Sequence, residues 1–266
     1  MVYLTGDCHG NFQRFTKKQR IRGPHFILPE DSVIVCGDLG LLWARDREFK
    51  FNLDWLSRLP FQLLWVQGNH ENYDMIADYP LELWNGGKVR HIVRDKIILL
   101  ERGQVFDIEG KRFFAFGGAS SHDIQGGILD RNSPTYDEER MRAVRRHLTY
   151  RVRNESWWEQ ELPTEDELCE GRENLSKVGY VVDYVITHCM AGRMQDKLAQ
   201  HDRDSYLSDR VYERDILTDY FDELEERLQY QRWFCGHYHV NLALDDKHTI
   251  LYNRMIRLSG DFSSSL

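Results

Sequence analysis

Five short apolar runs end abruptly in residues that bind divalent metals. They are Gly6-Asp7-Cys8-His9-Gly10, Gly37-Asp38-Leu39-Gly40, Gly68-Asn69-His70-Glu71, Thr187-His188 and Gly236-His237-Tyr238-His239. Carboxylate, imidazole and amide oxygen without thiolate suit Mn, Fe, Zn, Co or Ni better than calcium. A carboxylate can bridge two cations and offset their repulsion, so the donor types fit a pair of ions. Two ions about 3.5–4 Å apart acidify a shared water and clamp a phosphoryl group during in-line displacement. Each motif alone has a plainer reading: Asp beside Gly is usually a turn, and a lone His usually an ordinary surface or core residue. The recurrence of such residues at five strand termini is what points to one shared site.

The elements that must position them are readable in outline. Residues 2–6, 32–36, 61–66, 181–187 and 232–235 are compact runs of Val, Ile, Leu, Phe and Trp. Such runs suit strands covered on both faces. Strand ends converge on one edge of a sheet, so side chains far apart in sequence can surround one small volume. Residues 46–59 predict a helix with Phe49, Leu53 and Leu56 on one stripe and Pro60 as its stop. Residues 215–228 predict another, with Ile216, Leu217, Tyr220, Phe221, Leu224 and Leu228 on its buried face. Consecutive strands are expected at 89–93, 97–101, 105–108 and 112–117, and again at 242–244, 249–252 and 256–258. Strand–helix alternation, a meander, then alternation again predicts an α/β fold with mixed sheets and outer helices. Neither a repeat nor a Pro- or Gly-rich linker divides the chain. One domain over 1–266 is expected, with a helical insertion at 120–163.

Composition narrows the classes. The chain has 266 residues, of which 41% are hydrophobic and 29% charged, which excludes disordered, collagenous and low-complexity readings. No apolar run approaches the roughly 18 residues that span a bilayer, and no leader pattern precedes residue 2. A net charge of −8 argues against a protein whose whole surface binds nucleic acid. Five cysteines, an odd number without CxxC spacing, fit a reducing compartment. The cytoplasm is the expected location, with no membrane partner.

The ordered set Asp-x-His, Gly-Asp-x-Gly, Gly-Asn-His-Glu, strand-end His and Gly-His-x-His resembles the calcineurin-like metallophosphoesterase superfamily, from Asp7 to His239. The resemblance implies two packed mixed β-sheets flanked by helices, a four-layer sandwich with a dimetal site at one edge. It implies that Asp7, His9 and His239 bind one ion, that Asn69, His188 and His237 bind the other, and that Asp38 bridges them. It places His70 beside the leaving-group oxygen as a proton donor or transition-state stabiliser, not as a ligand, and makes Glu71 a supporting residue. Two divalent ions are implied, manganese first, with Fe, Zn, Ni, Co or Mg as alternatives. Cys8, Cys36, Cys189 and Cys235 lie beside or near these positions and are expected to be buried packing residues.

The match departs at Gly37-Asp38-Leu39-Gly40, where Ser/Thr protein phosphatases of the superfamily carry Asp-Arg-Gly. Their phosphate-contacting arginine is missing at that place, which counts against a phosphoprotein phosphatase. A weaker likeness, through residues 117–123 and Trp157-Trp158, is to small bacterial or phage-type phosphoesterases.

Between Arg140 and Arg153 lie six arginines and no acidic residue. They read either as a solvated helix face or as an electropositive lid that collects phosphorylated substrate. Arg145 and Arg146, with Arg131, His122 and Asp123, are the candidate substrate contacts. Tyr136, Tyr150, Trp157 and Trp158 could stack on bases if nucleic acid were the substrate. The expected activity is hydrolysis of phosphomonoesters by a metal-bridging hydroxide, on a phosphorylated small molecule or nucleotide. The alternatives are a phosphodiesterase or nuclease, and a non-catalytic scaffold on the same fold.

Overall fold

Alternation along each apolar run sorts its side chains between two interiors, and that sorting builds the architecture. In the computed structural model, which describes residues 1–16, 27–204 and 212–258, Ser32–Val35 forms β2. Its Val33 and Val35 enter one hydrophobic cluster while Ile34 enters another. β1 (Val2–Thr5), β3 (Gln62–Trp65) and β6 (Ile97–Leu100) are sorted in the same way. These four strands run parallel, in the order β1-β2-β3-β6. β15 (Met255–Arg257) pairs antiparallel on the β1 side, and β5 (Gly87–Val93) then β4 (Leu81–Trp84) close the other, giving seven strands.

The second sheet has six strands. Its parallel centre is β8 (Lys111–Phe116), β11 (Tyr184–Thr187), β12 (Arg232–Cys235) and β14 (His248–Ile250), with antiparallel β7 (Gln104–Ile108) and β13 (Leu242–Ala243) at the edges. Leu4, Ile34, Leu64 and Ile98 of the first sheet meet Phe113, Tyr184, Ile186 and Phe234 of the second in the central interior. The first sheet's outer face packs on α1 (Arg47–Ser57) and α2 (Tyr73–Ala77). The second sheet's outer face packs on α4 (Glu165–Lys177), α5 (Gly192–Asp204) and α6 (Ile216–Arg227). Three interiors between four layers realise the expected sandwich.

Helix boundaries follow side-chain caps. Asp46 accepts from Phe49 N–H to start α1, Thr164 and Glu167 close a capping box at α4, and Asp215 accepts from Leu217 and Thr218 to start α6. α3 (Tyr136–Arg145) starts at Thr135, whose side chain caps no helix N–H. The strand expected over 181–187 begins only at Tyr184, because Val181 makes one isolated bridge to Gln229 and is 43% exposed. Residues 120–163 also hold a two-stranded parallel ribbon that patterning did not suggest, β9 (Ile128–Leu129) with β10 (Arg151–Val152). Two residues are too few for a period to show. Among the described residues, no helix is long and apolar enough to cross a membrane.

One ionic clamp ties α6 to the β13–β14 hairpin. His248 Nε2 lies 2.6 Å from Glu225 Oε1, and its Nδ1 lies 2.8 Å from Asp245 Oδ1. Both ring nitrogens face carboxylates, so the doubly protonated imidazolium satisfies both. Burial by itself pulls this imidazole down; Glu225 and Asp245 outweigh it and hold it above its ordinary value. A raised folded-state pKa adds stability at acid pH that disappears as pH rises through that pKa. His248→Gln should therefore cost about 2 kcal/mol below pH ~6 and progressively less above pH ~6.5, read from urea midpoints. A cost that stays constant or grows with pH would refute the clamp.

Candidate metal centre

Because β1, β2 and β3 are parallel neighbours, and β11 and β12 likewise, their carboxyl ends lie along one edge. Asp7, Asp38, Asn69, His188 and His237 follow those ends within four residues. The glycines between strand and ligand leave room for the ligands themselves. A Cβ on Gly68 would overlap Asp38 Oδ1, and one on Gly236 would overlap Asp7 Oδ1.

All seven expected ligands are brought together. The ligand atoms of Asp7, His9 and His239 lie within 4.8 Å of one another, as do those of Asp7, Asp38 and His188. Asp7 Oδ2 is 3.1 Å from His239 Nε2 and 3.7 Å from His9 Nε2. Asp38 Oδ2 spans the two groups, 3.7 Å from His9 Nδ1 and 3.4 Å from His188 Nε2. Asn69 Oδ1 lies 3.1 Å from both His188 Nε2 and His237 Nδ1.

The electrostatics of this set call for a cation. Asp7 and Asp38 are each 1% exposed, and removing two adjacent carboxylates from water is costly unless positive charge accompanies them. Among the described residues, their side-chain ion pairs are all with imidazoles. The nearby Arg14 donates instead to the Thr5 hydroxyl and to the backbone carbonyls of Gly6, Asp7 and Tyr252. His188 Nδ1 lies 2.8 Å from the Cys36 carbonyl, which can only accept, so Nδ1 carries its proton and Nε2 points at Asp38 and Asn69. A ring anchored in this way is oriented to ligate.

Burial alone would lower the His188 pKa; Asp38 outweighs it and raises the imidazole to about 9. Burial likewise pushes the Asp38 carboxyl up, and His188 more than reverses that, leaving it well below the usual carboxylate range. The thiols do not compete. Cys8, Cys36, Cys189 and Cys235 are buried and free, and burial pushes the Cys8 thiol up to about 12. Glu71 is tied to the backbone instead: Oε1 accepts from Leu39 N–H at 3.0 Å, and burial raises its pKa well above the ordinary value. Nitrogen and oxygen donors with two buried carboxylates fit divalent ions.

The backbone is strained at the same place. His9, Asp38, His237 and His239 have φ of 46°, 50°, 68° and 53°, in the left-handed region. Each costs roughly 1–2 kcal/mol for a residue with a Cβ. Such strain persists where surrounding structure over-determines it, commonly at functional sites.

His70 stands at the open side, its ring centroid 5.2 Å from that of His9. Its backbone N–H donates to Asp38 Oδ1 at 2.8 Å. Arg151 from β10 brings a guanidinium nitrogen 2.9 Å from His70 Nδ1, while Asp123 holds the same guanidinium in an ion pair. Arginine only donates, so His70 accepts there and is neutral; burial first, then Arg151, lowers its pKa to about 4. His9, His70 and Arg151 line a cleft of about 310 Å³ together with Trp43 and Phe49.

The other expected substrate contacts are distributed unevenly. His122 lies against the His237 ring at 5.3 Å. Arg131 is exposed and paired with Glu155, and Arg145 and Arg146 occupy the exposed end of α3. Trp158 is buried against Trp43 and donates to Asp74 at 2.9 Å, so it presents no face to a base. Arg151 was visible in sequence only as one of six arginines, and no local signal set it apart.

Gly68→Ala should lower stability by about 1–3 kcal/mol and weaken Mn²⁺ binding about tenfold or more, because Asp38 must move. An unchanged melting temperature with unchanged calorimetric Mn²⁺ affinity would show that Asp38 does not need this space.

Among solved structures, the chain is similar to a phosphopantetheinyl hydrolase from Mycobacterium tuberculosis at 14% identity and a TM-score of 0.41, over 94% of this chain and 87% of that one. A search of the curated proteins found no match. The family model for calcineurin-like phosphoesterases matches residues 1–241, which contain every motif of the centre. The chain belongs to the calcineurin-like phosphoesterase family.

Proposed function

We propose that the protein is a phosphomonoesterase whose centre holds two divalent ions, manganese the first choice. The observation that carries this reading is the meeting of seven N/O donors, two of them buried carboxylates, with Asp38 reaching into both groups. Asp7, His9 and His239 would hold one ion, Asn69, His188 and His237 the other, and Asp38 both. Ions bound there supply Lewis acidity at phosphorus and acidify water.

The remaining residues define the reaction's outer face. The Arg151 guanidinium, fixed by Asp123, meets non-bridging phosphate oxygens by charge-assisted hydrogen bonds. A monoester dianion has more charge to offer it than a diester, and this supports the monoester choice. His70, neutral and held by the Arg151 guanidinium, which approaches both of its ring nitrogens, stands where an imidazole can assist the leaving-group oxygen. Trp43 and Phe49 line the cleft where an organic leaving group fits. The exposed Arg145 and Arg146 stand outside that cleft as candidate longer-range attractors of anionic substrate.

Two substitutions test the roles. Asp38→Asn should reduce metal-dependent hydrolysis of nitrophenyl phosphate by about 10³-fold with the fold intact by circular dichroism. Substantial residual turnover would contradict the bridging place. Arg151→Ala should reduce kcat/KM by about 10- to 100-fold on the monoester and less on the bis-ester. A wild-type preference for the bis-ester, or equal losses on both, would favour the diesterase reading.

A further inference from the structure

An amide ligand has a weakness that a carboxylate lacks. Rotating Asn69 by half a turn exchanges Oδ1, which can ligate a cation, for Nδ2, which cannot. Something must therefore choose its orientation. In the structure, Asn69 Nδ2 donates to Ser121 Oγ at 3.1 Å, which leaves Oδ1 facing His188 and His237.

A hydroxyl can hold the amide in one orientation only if the hydroxyl is itself held in place. Ser121 N–H donates to Glu161 Oε2 at 3.2 Å, which fixes the serine whose Oγ accepts from Asn69 Nδ2. Glu161 is 1% exposed and its Oε1 has no hydrogen-bond partner. Burial raises its carboxyl to about 8, yet Oε2 remains an acceptor whether or not Oε1 carries a proton. Glu161 ends the 120–163 insertion, and Arg102 anchors that stretch by donating to the Gln160 and Glu161 carbonyls at 2.6 and 3.2 Å.

We propose that Glu161 and Ser121 are positioning residues that lock the Asn69 amide with its oxygen toward the second ion. The insertion thereby serves the metal centre from behind as well as the substrate face. This rests on the proposed role of Asn69 as a ligand, and the test separates the two.

The test is a titration of Co²⁺ into metal-free protein, followed by visible d–d absorption and calorimetry. Asn69→Ala should lose the second ion, and retention of both with native affinity would sink the ligand reading itself. Given that loss, Ser121→Ala and Glu161→Ala should each weaken the second ion about 10- to 100-fold while the first binds as in wild type. Glu161→Gln, which keeps an oxygen acceptor, should stay close to wild type. Ser121→Ala removes only a hydroxyl, so it keeps the question decidable if Glu161→Ala folds poorly. The relay is overturned if Ser121→Ala binds both ions normally, if both sites weaken together, or if Glu161→Gln fails as badly as Glu161→Ala.

Discussion

Two carboxylates, Asp7 and Asp38, are buried side by side with imidazoles as their side-chain ion partners. A domain has marginal net stability, and an uncompensated pair of this kind would consume much of it. Asp38 itself and the neighbouring His9, His237 and His239 are in left-handed backbone conformations, and the imidazoles of His9, His188, His237 and His239 surround the pair. Divalent cations supply the positive charge that such a pair calls for, which is why the site is better understood as a place for ions than as a set of salt bridges.

The layers serve that edge. Two sheets with parallel centres deliver their carboxyl ends to one rim, and the central interior between them fixes the rim's geometry. The candidate donors sit on loops, but each loop leaves a buried strand. Residues 120–163 add what the two large sheets cannot: Arg151 on a two-residue strand beside His70, and Glu161 bonded to the Ser121 that meets Asn69. The missing arginine of the Gly37-Asp38-Leu39-Gly40 motif therefore does not leave the centre without a guanidinium at its open side.

Much of this was legible in the sequence because its signals are local. A strand-end Asp or His beside glycine can be read within five residues, and the family resemblance those motifs carry implies which seven of their residues are donors. The helices at Arg47–Ser57 and Ile216–Arg227 were readable from apolar stripes and acidic caps. What escaped depends on distant partners. Arg151 is distinguished from Arg145 and Arg146 only by contacts with His70 and Asp123, across 81 and 28 residues of chain. Ser121 and Glu161 look like an ordinary loop serine and a surface acid until burial and Asn69 are known. Trp158, readable as a base-stacking platform, is taken by the core through Trp43.

The most direct test of a two-ion centre is the electron paramagnetic resonance spectrum of the protein loaded with two equivalents of Mn²⁺. Ions sharing Asp38 lie close enough to couple, so the second equivalent should replace the isolated six-line pattern with a broadened, exchange-coupled spectrum. Two equivalents that give only the sum of uncoupled six-line signals, or a protein that retains one ion at saturation, would contradict the account.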